Sequence, residues 1–456
     1  MARKQILHAN FDCQTVVARE CPAPSRHRRD RAGRPYRTLT RARFLSTAPA
    51  ELVLSSMSID QVDAAIDKLL AEHDPKSTPD IEFRGHQFDA GLGMVHFDVG
   101  FGGLGLAPSF QKHIERRLME AGRAAPDPRT FFRFLAGPTI HTHGSDEVKN
   151  RFLRPMFTGE ERWCQLFSEP GAGSDFAGLG TRAIRDGDEW IVNGQKVWNS
   201  LAHLAHWGML VTRTDPDIPK HKGMTYFALD MKSPGVEIRP LRQITGDAEF
   251  NEVYMTDVRV PDAQRVGDVG EGWRASLTTL MNERTELGGG LPAKGSGPIA
   301  SLVDVWNKLP DDERTPVARD KVTKLWAQAE TLRLTNMRAS QTRKAGNPGP
   351  EGSVGKAIAA GMNKAIFETA IDLMGPAGQI EFEYSTGERH DEDMGDSGGM
   401  TGGSAGPRHA FLRTRANSIE GGTSEIMRNI LGEQVLGLPG EPRVDKGVPW
   451  IDVPRN

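Results

Sequence analysis

The feature that most constrains the fold is the spacing of apolar residues, which changes from helical to alternating and back to helical. Before residue 163 and after residue 268, apolar residues recur at the spacing of amphipathic helices. Between these positions, short alternating segments are separated by turns rich in Asp, Asn, Gly and Pro, as is typical of strands. We predict a multi-domain α+β protein. Its parts are an N-terminal helical domain (57–162), a central β-barrel or sandwich (163–268) and a C-terminal four-helix bundle (269–439).

Three segments differ in composition from this core. Residues 1–56 carry eight arginines between positions 26 and 43, among Ser, Thr and Pro. They predict a disordered basic leader, with an organellar transit peptide or a basic arm as alternatives, followed by a short helix from Ser58. Residues 384–409 are rich in Gly, Ser and Asp and predict a mobile loop within the C-terminal domain. The Pro-rich residues 440–456 predict an irregular tail.

Charge and cysteine usage exclude several classes of protein. The net charge of -3 over 456 residues gives no reason to expect a nucleic-acid partner. Three cysteines without metal-ligand spacing indicate a reducing compartment, which is the cytoplasm, or the mitochondrial matrix if residues 1–56 are a transit peptide. No apolar run is long enough to span a membrane. His141 and His143 have no third ligand in view, so we expect no metal site.

Two strings carry the chemistry. The first is WCQLFSEPGAGSD (163–175), followed by DGDEWIVNGQKVW (186–198); the second is GGTSEIMRNILGE (421–433). Asp-Gly at 186–187 and Asn-Gly at 193–194 each predict a turn, because these residues tolerate positive φ. Glycines 171 and 173 would let backbone N–H groups approach a phosphate or a flat ring closely. Taken alone, the first string also fits ordinary turns in a β domain.

The two strings, in this order, closely resemble the acyl-CoA dehydrogenase family, and the resemblance covers roughly residues 90–440. It implies helical domains that flank a β domain, with FAD bound between the β domain and the C-terminal helices. It also implies a homotetramer or homodimer, with a hetero-oligomer as a further possibility. The implied reaction removes a proton from Cα and a hydride from Cβ of an acyl-CoA thioester. Electrons then pass to an electron-transferring flavoprotein.

The resemblance assigns roles to individual residues. The indole of Trp198 would stack on the flavin ring, although a core aromatic is the alternative, and Ser200 would meet flavin N5. Arg284 and Gly421 match substrate contacts, and Ser174 matches both a substrate and a cofactor contact. The other positions that match cofactor contacts are Phe167, Ser168, Gly173, Gly375, Gly378, Thr423 and Glu425.

The catalytic base is where this sequence departs from many members, which place a Glu immediately before Gly-Thr. Here that position is Gly421, and Glu420 lies one residue early. A second branch, with the isovaleryl and long-chain enzymes, has its base in a Glu-Arg pair on the preceding helix, which Glu283 and Arg284 match. We hypothesise that Glu283 is the general base, with Glu420 as the alternative. Glu283 could instead be a surface residue paired with arginine.

Two other functions share this fold. A flavin monooxygenase or oxidase activates dioxygen and need not carry the base. A subunit of a hetero-oligomeric acyl-CoA dehydrogenase could complete the site of another chain and be inactive alone.

Overall fold

The computed structural model describes residues 48–287, 293–344, 351–380 and 406–454. The chain divides into two compact units, Met1–Ser55 and Ser56–Asn456. Residues 1–47 of the predicted leader and residues 384–405 of the predicted loop lie outside the described residues. Everything that positions the site belongs to the second unit.

The described N-terminal helices are α1 (Ala48–Glu72), α2 (Asp80–Asp89), α3 (Gln111–Ala121), α4 (Arg133–His143) and α5 (Asp146–Thr158). Helix α1 begins ten residues before Ser58, so the end of the predicted leader is helical. The helix formers Ala, Glu and Leu at its start explain the extension. The predicted apolar stripe of α1 is buried at Val62, Ile66 and Leu69.

Helix α4 continues to the two histidines of the sequence analysis. The Nε2 atom of His141 accepts a hydrogen bond from the backbone N–H of Asp98 at 3.0 Å. His143 Nε2 lies 2.8 Å from the hydroxyl of Thr278. Both side chains therefore join neighbouring segments of the fold. In the described ranges, no group of three or more His, Cys, Asp or Glu side chains could hold a metal ion.

The central domain is one curled seven-stranded sheet with the order β1–β4–β2–β3–β7–β6, and β5 also pairs with β4. The strands are β1 (Trp163–Leu166), β2 (Arg182–Asp186), β3 (Glu189–Lys196), β4 (Trp207–Arg213), β5 (Met224–Asp230), β6 (Val236–Leu241) and β7 (Phe250–Pro261). Strand β4 pairs with β5 along its whole length, with β1 over its first half and with β2 only at its end. Apolar clusters cover both faces of the sheet, so every residue of β4 is buried.

The predicted turn at Asn193-Gly194 is wrong. Strand β3 runs through both residues and keeps its pairing with β7, with an irregularity between Val192 and Gly194. The side chain of Asn193 accepts from the backbone N–H of Asp257 at 3.0 Å and donates to its carboxylate at 2.9 Å. This side-chain bridge across the strands accommodates the extra residue as a β-bulge.

The C-terminal helices are α6 (Gly272–Leu287), α7 (Pro298–Lys308), α8 (Pro316–Lys344), α9 (Glu351–Met374), α10 (Gly406–Arg413) and α11 (Ser424–Ile430). Helices α7, α8, α9 and α10 share one apolar core. Helix α10 begins at Gly406, inside the segment 384–409 that was predicted to be a loop. Helix α6 packs instead against α4 and β5. None of the described helices is long and apolar enough to cross a membrane.

Candidate functional site

The candidate site begins at a turn after β3 that exposes Trp198. This residue has a left-handed backbone, with φ of 62°, and its side chain is 59% exposed. The buried Asn199 holds the turn: its backbone N–H donates to Asn251 at 3.0 Å, and its side chain donates to the carbonyl of Gln165 at 2.8 Å. A left-handed conformation at a non-glycine residue costs roughly 1–3 kcal/mol and persists only where surrounding contacts fix it. The turn thus holds an indole open to a ligand.

Arg413, at the end of α10, approaches this indole through Phe250. The ring of Phe250 packs edge-on against Trp198, with 5.9 Å between ring centroids. The guanidinium of the buried Arg413 lies 5.8 Å from the Phe250 ring. The β domain and the C-terminal helices therefore meet beside Trp198.

The loop 168–175 forms a second wall. The backbones of Glu169 and Ala172 exchange two hydrogen bonds, at 3.0 and 3.1 Å, and Ser168 accepts from the N–H of Val197 at 2.9 Å. No heavy atom lies within 4 Å of a Cβ placed on Gly171 or Gly173. The backbone of the loop is consequently open to a ligand.

A buried ion pair supports this loop. Lys196 Nζ donates to Glu169 Oε1 at 2.7 Å and to the carbonyl of Phe167 at 3.1 Å. The same carboxylate accepts from the N–H groups of Gly180 and Thr181 at 2.6 and 2.9 Å. Burial opposes ionisation of Glu169, but the charge of Lys196 and these hydrogen bonds together lower its pKa. The pair thus ties the end of β3 to the loop.

Glu283 lies on α6, close to strand β1. The side-chain nitrogen of Gln165 lies 3.4 Å from Glu283 Oε2. The backbone carbonyl of the same Gln165 anchors the turn that carries Trp198. A contact between Thr139 and Thr279, at 2.8 Å, positions α6 against α4. The half-buried carboxylate is therefore linked through Gln165 to the turn that carries Trp198, while the side chain of Arg284 lies outside the described residues.

Glu420 occupies a different environment. Both of its oxygens accept from Arg413, at 3.1 and 2.9 Å, and one accepts from Asn417 at 2.7 Å. The arginine is buried and the carboxylate is about one-fifth exposed. Both carboxylate oxygens of Glu420 are therefore engaged in hydrogen bonds to the end of α10 and the segment that follows it.

The remaining predicted site residues lie in three places. Gly421 has φ of 59° and precedes Thr423, which caps α11 by accepting from the N–H of Ile426 at 3.1 Å. Glu425 is exposed in the first turn of α11. Other predicted residues lie in the β domain or at the end of α9: Phe167 is buried, Ser174 is exposed, Ser200 is half-buried, and Gly375 and Gly378 lie in the turn after α9.

The residues at the site fit FAD. The exposed indole offers a face for a flat ring, and the open backbone at Gly171 and Gly173 admits a ligand that side chains would exclude. Thr423 adds a hydroxyl at a helix N-terminus. The fold, the exposed indole and the open loop together define a class of flavoenzyme with helical domains around a curled sheet.

Comparisons with known proteins agree. The middle-domain model of acyl-CoA dehydrogenases matches residues 164–258, and the C-terminal-domain model matches residues 270–436. The chain therefore belongs to the acyl-CoA dehydrogenase family, whose members are FAD-dependent oxidoreductases.

Two curated relatives come from Mycobacterium tuberculosis. Acyl-CoA dehydrogenase FadE34 is 40% identical over 352 residues, which is 77% of this chain but only 45% of the relative. The chain thus spans about half the length of FadE34. Acyl-CoA dehydrogenase IpdE1 is 35% identical over 359 residues, 78% of this chain and 86% of the relative. Because these relatives are bacterial, they do not support the mitochondrial matrix as the location of this protein.

Solved structures share the fold. The ChsE4-ChsE5 complex from Mycobacterium tuberculosis matches with a TM-score of 0.61 at 25% identity, over 88% of this chain and 100% of that chain. A single-residue variant of the Tcur3481-Tcur3483 steroid ACAD also matches with a TM-score of 0.61 at 25% identity, over 86% and 100%. A glutaryl-CoA dehydrogenase from Mycobacterium smegmatis in complex with FADH2 matches at 22% identity and a TM-score of 0.58, over 87% and 98%.

Proposed function

We propose that this protein oxidises an acyl-CoA thioester to the trans-2-enoyl-CoA, with Glu283 as the base and an electron-transferring flavoprotein as the electron acceptor. The observation that carries the proposal is the position of Glu283. Its carboxylate lies 3.4 Å from the side chain of Gln165, and the backbone of that residue fixes the Trp198 turn. Strand β1 thus contacts both the acid Glu283 and the turn that carries the indole of Trp198.

Different residues of the chain would remove the proton, stabilise the thioester carbonyl and orient the reactants. Glu283 takes the α proton of the thioester, and its half-buried setting reduces the competition from water for that proton. The backbone N–H of Gly421 is the proposed donor to the thioester carbonyl, where negative charge develops as the proton leaves. FAD held by Trp198 and the loop at Gly173 would supply the acceptor for the hydride that leaves the β carbon. Trp198 and the loop at Gly173 and Ser174 orient the reactants, which lowers the entropic cost of the transfer.

For the substrate we propose a bulky thioester whose acyl group carries fused rings. Support comes from a similar structure whose name describes a steroid ACAD. The family membership and bacterial relatives also support a cytoplasmic location, as does a buried, unpaired Cys164.

Anaerobic titration of the yellow holoprotein tests the reaction. We would add lithocholyl-CoA, octanoyl-CoA and isovaleryl-CoA and follow the loss of the flavin absorbance band. We expect bleaching with at least one thioester and the strongest response to lithocholyl-CoA. Bleaching by octanoyl-CoA or isovaleryl-CoA alone would refute the ring-bearing substrate. No bleaching by any of the three, with rapid air reoxidation of chemically reduced protein, would favour an oxidase or monooxygenase.

A second candidate is a subunit that acts only with a different partner chain. The similarity to the ChsE4-ChsE5 complex favours it. In that case the chain purified alone would be colourless and inactive, and it would gain flavin and activity when co-expressed with its partner. We expect the chain alone to be yellow, because Trp198, the open loop and Glu283 all belong to it.

A further inference from the structure

The C-terminal tail returns to the β domain and follows the loop between β4 and β5. The backbone N–H of Trp450 donates to Ile218 at 2.9 Å, and that of Ile451 donates to Pro216 at 3.0 Å. Pro449 pairs with Pro219 in an isolated antiparallel bridge. Neighbouring stretches of the tail are exposed, so these contacts attach it at a defined place.

The side chain of Trp450 reaches the turn Phe176–Gly178, which directly follows the loop 168–175. Its indole nitrogen donates to the carbonyl of Gly178 at 3.2 Å. The guanidinium of the buried Arg213 lies 4.9 Å from the Trp450 ring. Arg213 also donates to the carbonyls of Ala177 and Leu179. Trp450 and Arg213 therefore hold the same short turn.

A charged bridge makes the second connection. Lys220 Nζ lies 2.6 Å from Asp175 Oδ1 and 2.6 Å from Asp445 Oδ2. The lysine side chain is only 7% exposed. Hydrogen bonds from Lys220 and Arg443 hold the pKa of Asp445 well below its usual range. One buried ammonium thus links the tail to the residue after Ser174.

Both connections contact residues between Asp175 and Leu179 and leave Gly171 and Gly173 uncovered. Gly171 and Gly173 have open space where a Cβ would project. We propose that residues 443–453 form a strap that fixes the loop 171–178 for acyl-CoA binding, with Lys220, Asp445 and Trp450 as positioning residues. This inference rests on the proposed function, because that function supplies the ligand of the loop.

Asp445→Asn in the full-length holoprotein is the central test, because Lys220 keeps its contact with Asp175. We expect backbone amides of residues 171–180 to exchange hydrogen about tenfold faster. The Kd of coenzyme A, measured by calorimetry, should rise about tenfold, and the KM of the thioester that bleaches the flavin should rise in parallel with little change in kcat. Trp450→Ala should likewise speed this hydrogen exchange and raise both the Kd of coenzyme A and the KM of the thioester.

Two exposed residues provide matched controls. Asp452→Asn is the control for Asp445→Asn, and Lys222→Met is the control for the variant Lys220→Met. Equal exchange in Asp445→Asn and Asp452→Asn would overturn the strap. Faster exchange with unchanged coenzyme A affinity would overturn its role in binding. Failure of the unmodified holoprotein to bind coenzyme A or to bleach would instead refute the proposed function, while the exchange comparison would still decide whether the tail holds the loop.

Discussion

Two carboxylates are candidates for the base, and their positions differ. Glu283 lies 3.4 Å from Gln165, whose backbone anchors the Trp198 turn, whereas Glu420 accepts two hydrogen bonds from Arg413. We predict that Glu283→Gln keeps the flavin and binds thioester but slows flavin reduction by about 10²–10⁴-fold, the range for loss of a positioned base. Anaerobic stopped-flow absorbance measures this rate. Slow reduction in Glu420→Gln with normal reduction in Glu283→Gln would reverse the assignment.

Glu420→Gln should instead affect stability. The change removes the closer of two charged partners of the buried Arg413, whose Nε also lies 4.0 Å from Glu249, and we expect a loss of roughly 2 kcal/mol in the free energy of unfolding. Flavin reduction should stay within about tenfold of the original rate. Thermal unfolding of the holoprotein tests this, with Asp304→Asn as control, because its ion pair with Lys308 is exposed and worth under about 1 kcal/mol. Equal melting shifts in both variants would refute a structural role for Glu420.

The first sequence string singled out Trp198 and the Glu-Arg pair singled out Glu283, because short, locally encoded segments carry these residues; their roles stay predictions. The Lys196–Glu169 pair was missed. The sequence indication of this pair was Lys196, which follows Trp190 and Val192 at the two-residue spacing of the inward-facing positions of β3. Recognising it required knowing that the loop with Glu169 folds back over that strand, which is a long-range contact.

At the scale of elements, the return of helical apolar spacing after residue 268 predicted a helical C-terminal domain, and α6 to α11 lie in it. The short helix α7 (Pro298–Lys308) follows a glycine-rich segment. The Asn193-Gly194 turn was wrong because local turn propensity was outweighed by pairing with β7 and by the contact with Asp257. The path of the tail likewise depends on contacts distant in sequence.

One prediction concerns the junction of β3 and β7. The hydrogen bond from Arg265, followed by that from Trp190, lowers the pKa of Asp262 from 3.8 to about 2. Because the folded-state pKa is the lower one, the resulting stability is present above about pH 4 and disappears as the pH falls through about 2. We expect Asp262→Asn to lower the unfolding free energy at pH 7 by roughly 1–2 kcal/mol. Urea unfolding measures this loss, with the exposed Asp268→Asn as control; an equal effect in the control would contradict it.

At the scale of the whole molecule, the C-terminal bundle exposes large apolar side chains. Leu334 on α8 and Ile358 on α9 are each about half exposed, at 49% and 45%. These two helices pack against each other, and their described outer surface is available to a second chain. We propose that these two side chains belong to an interface with a second chain, because contiguous exposed apolar surface marks sites of association.

We therefore predict a homo-oligomer in which the C-terminal helices meet. Light scattering after size-exclusion chromatography should give a mass that is a multiple of 50.0 kDa. Leu334→Glu combined with Ile358→Glu should shift this mass to that of smaller species, because burying two charges in an apolar contact is costly. If a neighbouring subunit completes each FAD site, flavin should be lost in parallel. Ile184→Glu is the matched control, since Ile184 is similarly exposed, at 55%, but lies on β2 of the central sheet. Dissociation in the control, or an unchanged mass in the double variant, would contradict association through these helices.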